Sequence, residues 1–351
     1  MTQLNQKQQL IVTTLLKGET FSSSQIYSDL KESGEQISLV TVKRILSELV
    51  KLNVLRVSGS GRSTAYAIST TGRVFADIDA SAYCSVDPDN RYGMTRYNFD
   101  LFVEMPTVLF NETEERVLDE ATHEYRRRIN DLPESIRRKE LERLIIELSW
   151  KSSKIEGNTY SLLDTEMLIL RHIAAPGKTK DETQMILNHK SAFEYVHKNA
   201  DRFKSLSKND IEELHKILVK DLNVGFNLRK RAVGVTGSIY RPLDNEFQIS
   251  EALHALTQKI VQCDSPYGKA LLAVIGISYI QPFEDGNKRT GRLLADAILL
   301  AYDLAPLSYR SVNEQEYREA VLVFYELNIL TPFKSIFIAQ YDFAARNYAV
   351  N

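Results

Sequence analysis

The chain has 351 residues, a formal net charge of −2 and 26% charged residues. That length suffices for two or three domains with their own cores, and the near-neutral balance excludes a globally basic nucleic-acid binder. No apolar run approaches the ~20 residues that span a bilayer, and the start, MTQLNQKQQL, lacks a basic-then-apolar signal pattern, so a cytoplasmic protein with no membrane partner is expected. Cys84 and Cys263 are too few and too far apart for a disulfide framework or a zinc site and are expected as thiols in a reducing compartment.

From the N-terminus, residues 4–17 place Leu10, Ile11, Thr14 and Leu15 at helical spacing, and Gly18 closes the run. Ser22 or Ser23 caps a second helix through Ile26 and Leu30 that ends at Gly34. Ser38 caps a third, whose apolar face is Val42, Ile45, Leu46, Leu49 and Leu52. Two short strands follow, 54–58 and 64–69, joined by Gly59-Ser60-Gly61-Arg62. Three helices and then a two-stranded wing is the order of a winged helix-turn-helix domain, here residues 1–75. Those residues hold nine Lys and Arg against five Asp and Glu, so a mildly basic module precedes an acidic body. The third helix would enter a major groove and offers Ser38, Thr41, Lys43 and Arg44, while Arg56 and Arg62 sit where a wing reaches phosphates or a minor groove. Double-stranded DNA is the expected partner of this module. The alternative is a protein-interaction winged helix with a solvated charged face.

Between residues 71 and 110 the pattern is irregular, broken by Gly72, Pro88, Gly93 and Pro106. Tyr83, Tyr92, Tyr97, Phe99 and Phe102 are too many aromatics for a free linker, so 76–110 is expected to be a connecting segment packed on the body. After Asn111 the periodicity predicts helices over 114–129, 134–156, 161–173, 181–198, 207–220, 248–262, 266–281, 287–303, 313–326 and 331–348. The fold class is therefore mainly α, with an all-helical body over 111–351.

One loop in that body concentrates chemistry. Residues 281–292 read QPFEDGNKRTGR and join the apolar runs 270–280 and 289–301. Gly286 permits a sharp turn, the first amides of the next helix point outward, and Lys288, Arg289 and Arg292 add positive charge at the same place. That is the composition of an anion-binding site. Upstream, 152–158 reads SSKIEGN at the C-terminal end of a helix built from Leu141, Leu144, Ile145, Leu148 and Trp150. Ser152 and Glu156 lie one helical turn apart on one face, and Gly157 and Asn158 stop the helix. A carboxylate there opposes the helix dipole and calls for a cation. Between these motifs, residues 232–242 read AVGVTGSIYRP, the alternation of small and β-branched residues expected of a short hairpin.

The 281–292 loop resembles the Fic family signature, His-Pro-Phe-x-(Asp/Glu)-Gly-Asn-Gly-Arg-x-x-Arg, departing from it at two positions: Gln281 stands for the His and Lys288 for the second Gly. SSKIEGN is similar to the inhibitory motif (Ser/Thr)-x-x-x-Glu-(Gly/Asn) of regulated Fic proteins, which makes 139–157 an inhibitory helix with Ser152, Glu156 and Gly157 as its motif. The 232–242 segment looks like the family's flap, a β-hairpin that pins an extended target by strand addition, through Thr236, Gly237, Ser238 and Tyr240.

The resemblance implies ATP and Mg²⁺ as ligands and AMP transfer to a Ser, Thr or Tyr hydroxyl of a target protein. Mapped by position, Asp285 would hold Mg²⁺, while Gly286, Asn287, Lys288, Arg289 and Arg292 would bind the phosphates. Phe283 would anchor the loop, and Glu156 would pair with Arg292 and block the γ-phosphate. Gln281, at the catalytic position, cannot accept a proton as His does, so activity is expected to be weakened or lost. The Asn-Lys-Arg triplet at 287–289 resembles the Doc toxin branch, whose members bind ATP in the opposite sense and phosphorylate their target. An autoinhibited AMP transferase is the leading expectation. An inactive nucleotide-responsive DNA-binding regulator and a Doc-like phosphotransferase are the alternatives, and a homodimer is left open.

Overall fold

The computed structural model describes residues 4–350. In chain order its helices are α1 (Gln6–Leu15), α2 (Ser23–Glu32), α3 (Leu39–Lys51), α4 (Thr70–Val74), α5 (Ala80–Cys84), α6 (Leu101–Glu104), α7 (Glu112–Asp131), α8 (Glu134–Ile155), α9 (Leu162–Arg171), α10 (Lys180–Lys198), α11 (Lys208–Leu218), α12 (Glu246–Gln262), α13 (Pro266–Ile280), α14 (Asn287–Ala301), α15 (Glu314–Leu327) and α16 (Thr331–Asn347). Strands β1 (Leu55–Ser58) and β2 (Ala65–Ile68) lie between α3 and α4. The fold is mainly α. The chain forms two compact units. One comprises the residues up to Pro106 with Gly234–Arg241 and Gln315–Ser335; the other comprises Thr107–Val233, Pro242–Glu314 and the residues from Ile336 onward.

In the first unit the serine caps do what serine caps do: Ser22 Oγ accepts from Gln25 N and Ser38 Oγ from Thr41 N, each at 3.2 Å. β1 and β2 pair antiparallel with Leu55 opposite Ile68 and Ser58 opposite Ala65, and Phe21 adds an isolated bridge to Tyr66. Ile11, Leu15, Ile26, Val42, Leu46 and Leu49 fill the core between α1, α2 and α3. That core runs past residue 75, because Val323, Leu327 and Ile329, in and after α15, and Tyr83 belong to the same buried cluster.

A fully buried carboxylate organises the rest of this unit. Glu326 accepts from Tyr83 Oη at 2.7 Å, Arg91 Nη1 at 3.3 Å, Ser238 Oγ at 2.6 Å and Ile239 N at 3.2 Å. These bonds correct the hairpin expected over 232–242. β1 and β2 form the sole sheet among the described residues, and 232–242 carries a turn instead, closed by Ser238 N to Val235 O at 3.2 Å with Gly237 at φ +77°. Its polar groups are taken by Glu326 and by the Arg241 N to Thr95 O bond at 3.0 Å. Gly234 and Gly237 also bring no side chains for cross-strand pairing, so nothing favours a ladder.

The second unit is built around α13 and α14. α13 is buried all round and α14 nearly so, as expected for core helices rather than surface ones. They approach closely at Gly291, where a Cβ would lie 2.8 Å from Val274 O. α8, α10 and α11 also pack on α14. The 281–286 connection is thereby held between two buried, closely packed helices. No helix among the described residues is long and apolar enough to cross a membrane.

Candidate functional site

α13 ends at Gln281, which takes a left-handed backbone at φ +52° and donates its N–H to Ile277 O at 3.0 Å. α14 starts after Gly286, at φ +77°, a conformation that glycine adopts without strain. Glycine has no side chain to cap the first amides of α14, so that helix start has no side-chain cap. A helix start with no acidic residue in its first turn and two cations in it attracts an anion.

Asn287 braces the loop from inside. Its Oδ1 accepts from Phe283 N at 2.8 Å, and its Nδ2 donates to Phe283 O at 2.9 Å and to Gln281 Oε1 at 3.0 Å. Gln281 Nε2 donates to Ser278 O at 2.7 Å. From outside, Arg229 N donates to Pro282 O at 3.0 Å and Arg229 Nε to Gln281 O at 2.6 Å. Phe283 is fully buried and stacks on His215 with ring centroids 3.6 Å apart and planes 4° from parallel. His215 Nδ1 lies 3.2 Å from Thr290 Oγ1, and Nε2 lies 3.5 Å from Gly225 O. Burial pushes the imidazole down to about 4, partly opposed by the Gly225 carbonyl and reinforced by Arg289, so the ring is neutral at pH 7.

Two motifs remote in sequence meet at Arg292. Its guanidinium is 0% exposed and makes four-way contact with the end of α8 and the loop after α14: Nε donates to Ser152 Oγ at 2.8 Å, Nη2 to Ser152 O at 2.7 Å, Nη1 to Glu156 Oε1 at 2.9 Å, and the Tyr309 ring centroid lies 5.9 Å away. Glu156 caps the C-terminus of α8, and Gly157 follows with φ +95°. The other Glu156 oxygen, Oε2, accepts from Lys288 Nζ at 3.2 Å. Burial works against ionisation of Glu156, yet Arg292 and Lys288 outweigh it and hold the carboxyl below its ordinary range.

Arg289 is 1% exposed and has one ion-pair contact, Nη2 to Asp285 Oδ2 at 3.2 Å, while its Nε and Nη1 are buried without hydrogen-bond partners. Asp285 itself is 64% exposed. Behind Arg292, burial pushes the Asp296 carboxyl well above its ordinary value and the His189 imidazole well below its own. The loop's own charges are Lys288, Arg289 and Arg292 against Glu284 and Asp285, one positive in excess, and Glu156 balances that excess while it is in place.

Sequence reasoning missed the roles of His215, Arg229 and His189. His215 lies on α11 beside Ile211, Leu214 and Leu218, all buried, so a histidine on an apolar stripe was the available signal. His254 is exposed on α12 and lines a groove with Lys208 and Ser250 that holds no residue of the loop. Of the remaining expected site residues, Thr236, Gly237, Ser238 and Tyr240 lie in the first unit, where Thr236 is exposed and Tyr240 is buried against Tyr325 at 5.6 Å between centroids. Lys43, Arg44 and Arg62 are exposed in that unit, with Arg44 Nη1 paired to Glu48 at 2.6 Å and Arg56 of β1 paired to Glu104.

A model of the Fic/DOC family matches residues 205–299. The protein adenylyltransferase Fic of Nematostella vectensis is 31% identical over 174 residues, which is 48% of this chain and 41% of that protein. The Drosophila virilis protein of the same name is 29% identical over 171 residues, 48% of this chain and 35% of that protein. The matches thus cover well under half the length of these curated relatives. Among solved structures, residues 134–508 of Fic-1 from C. elegans align over 67% of this chain and 72% of that one, with a TM-score of 0.58 and 22% identity. A Fic-domain signaling protein from Bacteroides thetaiotaomicron aligns over 65% and 94%, with a TM-score of 0.56 and 19% identity. At those identities the structural matches speak for the fold. Residues 205–299 thus match the Fic/DOC family, and the relatives similar to this chain include proteins named protein adenylyltransferase Fic.

Proposed function

We propose that this protein binds ATP with Mg²⁺ at the 281–292 loop and transfers AMP to a hydroxyl side chain of a target protein, restrained by Glu156 and slowed by Gln281. The observation that carries the reading is Arg289. Its two unpartnered nitrogens are buried, beside an uncapped helix start, on a loop whose own residues carry one surplus positive charge once Glu156 withdraws. Buried donors without acceptors are costly, and phosphate oxygens are the acceptors that such a cluster suits.

The donor set also suits Mg²⁺. No group of three or more His, Cys, Asp or Glu that could hold a metal occurs among the described residues, and Asp285 offers one exposed carboxylate beside the loop. Mg²⁺ is ordinarily held by one or two carboxylates, substrate phosphates and water, and bound there it would neutralise charge on the phosphate oxygens. Asp285 would hold the metal, the amides after Gly286 would receive phosphate oxygens, and Arg289 and Arg292 would neutralise charge as it develops.

In the transfer, the target's hydroxyl oxygen attacks the α-phosphorus, the bond to the β-phosphate oxygen breaks, and pyrophosphate leaves. The hydroxyl proton needs an acceptor. Gln281 has none to offer, which costs ~10²–10⁴-fold in rate. The expected state is a protein that binds nucleotide weakly until Glu156 withdraws and turns over slowly afterwards.

A second reading follows from the commitment of both ends of the Gln281 carboxamide to Ser278 O and Asn287. In it the site binds ATP without chemistry, and its occupancy sets the state of a winged-helix module that binds DNA. Incubating the full chain and its Glu156→Gly variant with α-labelled and γ-labelled ATP and candidate targets separates the cases. Label from the α position on protein supports AMP transfer, and label from the γ position supports a Doc-like phosphotransferase. ATP binding with no transfer supports the regulator, and no ATP binding by the variant ends the proposal.

A further inference from the structure

We infer that Lys288 is a second latch on the inhibitory carboxylate, so that this chain closes its own site with two cations on Glu156 rather than one. The inference rests on the nucleotide-binding reading above and concerns how that site is regulated.

Two helix ends in this unit carry charges that their own dipoles disfavour. Glu156 caps the C-terminus of α8, where a carboxylate faces partial negative charge. Lys288 lies in the first turn of α14, where a cation faces partial positive charge and no acidic residue of that turn relieves it. Each end is locally frustrated, and the two errors cancel only when they meet. They do meet: Lys288 Nζ is 3.2 Å from Glu156 Oε2, while Arg292 Nη1 is 2.9 Å from Oε1. Each carboxylate oxygen thus has its own cation, and both cations come from the phosphate-binding segment.

The two grips differ in kind. Arg292 is fully buried and holds α8 through Ser152 as well, so it stays in place whether or not Glu156 does. Lys288 is 33% exposed on a flexible stem, so its ammonium follows whichever anion is nearest. While Glu156 is in place, Lys288 strengthens the block; once Glu156 withdraws, the same ammonium is available to a phosphate. A family glycine at this position has no side chain for either role. The sign of the Lys288 contribution to nucleotide affinity therefore reverses with the state of Glu156.

The test is calorimetric titration of the full chain with ATP and Mg²⁺ in four forms: wild type, Lys288→Met, Glu156→Gly and the double variant. Methionine keeps the aliphatic stem and removes the charge. Expected is an affinity about three- to tenfold tighter for Lys288→Met than for wild type, the size of a partly exposed ion pair, with no tightening when the change is made in Glu156→Gly. Unchanged or weaker binding by Lys288→Met in the wild-type background overturns the latch. If Glu156→Gly gives no heat with ATP, the nucleotide reading fails by itself, and the latch is decided by urea unfolding of Lys288→Met, Glu156→Gln and their combination. Non-additive midpoints support the pair, and additive ones overturn it.

Discussion

Gln281 Oε1 accepts from Asn287 Nδ2 at 3.0 Å, and through that one bond the residue that stands where the Fic signature has His becomes part of the loop's frame. The other end of the carboxamide holds Ser278 O, so the side chain is fixed between α13 and the start of α14. It orients the loop and supplies no base. Changing Gln281→His together with Lys288→Gly in the Glu156→Gly background should raise transfer from α-labelled ATP by about 10²-fold or more, the usual contribution of a positioned general base. Labelled protein per unit time, measured beside ATP affinity, checks this. A triple variant that binds ATP and stays silent removes Gln281 as the reason for slow chemistry.

Glu156 gives a pH signature for the closed state. Its folded-state pKa is depressed below the ordinary carboxylate value, because Arg292 and Lys288 outweigh the effect of burial. The unfolded chain therefore binds the proton first as pH falls, so the stability this carboxylate contributes is complete above the ordinary carboxylate pKa and is lost as pH drops through the folded value. The pairing of Glu156 with Arg292 and Lys288 holds throughout the neutral range and loosens only in acid. Unfolding midpoints measured from neutral pH to below pH 4 should fall less steeply for Glu156→Gln than for wild type over that acid limb. Parallel curves would mean that Glu156 is not held by charge.

Much of this was legible in the sequence because it is local. Ser22 and Ser38 cap helices as short-range rules require, and the unbroken apolar runs into and out of 281–292 mark two core helices without knowledge of their neighbours. The meeting of Glu156 with Arg292 was readable only through the pairing of two motifs, since 136 positions separate them. What escaped was long-range. Nothing near Glu326 says that its carboxylate gathers Tyr83, Arg91 and Ser238, and that capture is why the 232–242 segment is a turn without strands. Nothing near residue 75 says that Val323 and Leu327 complete the core begun by α1 to α3. Lys288 read as added charge in an anion site, while its partner in the folded chain is Glu156.

His215 makes a prediction that is separate in pH from that of Glu156. Burial lowers its pKa from 6.5 to about 4, so between those values the unfolded chain is protonated and the folded one is not. Its stabilising contribution is complete above pH 6.5 and disappears as pH falls toward 4, a loss of about 3 kcal/mol across the window. His215→Phe keeps an aromatic ring stacked on Phe283 and removes the titration, so its stability should decline less between pH 6.5 and 4 than that of wild type. His189 shifts in the same direction, so part of the slope will persist. Urea unfolding at half-unit steps across the window measures the difference. An unchanged slope would show that the imidazole is not held neutral beneath the loop.

The N-terminal module tests the DNA reading, and it must be tested in the whole chain. Val323, Leu327 and Ile329 lie in the same buried cluster as Ile11, Val42 and Leu46, so a fragment ending near residue 75 would expose part of its own core. On the surface, Arg44 is drawn to Glu48 and Arg56 to Glu104, and such exposed pairs hold their cations only weakly against a phosphate. Lys43 is exposed on α3 and Arg62 between β1 and β2. If the module grips a duplex, log affinity should fall linearly with log salt, and Lys43→Ala and Arg62→Ala should each weaken binding and lower that slope by about 1. Fluorescence anisotropy with mixed-sequence duplexes over a salt series reads both quantities. Binding that is absent at low salt, or that ignores both substitutions, would turn the charged face of α3 into a solvated surface or a protein-docking one. An ATP-dependent change in the same titrations, lost in Arg292→Ala, would tie the module to the nucleotide site.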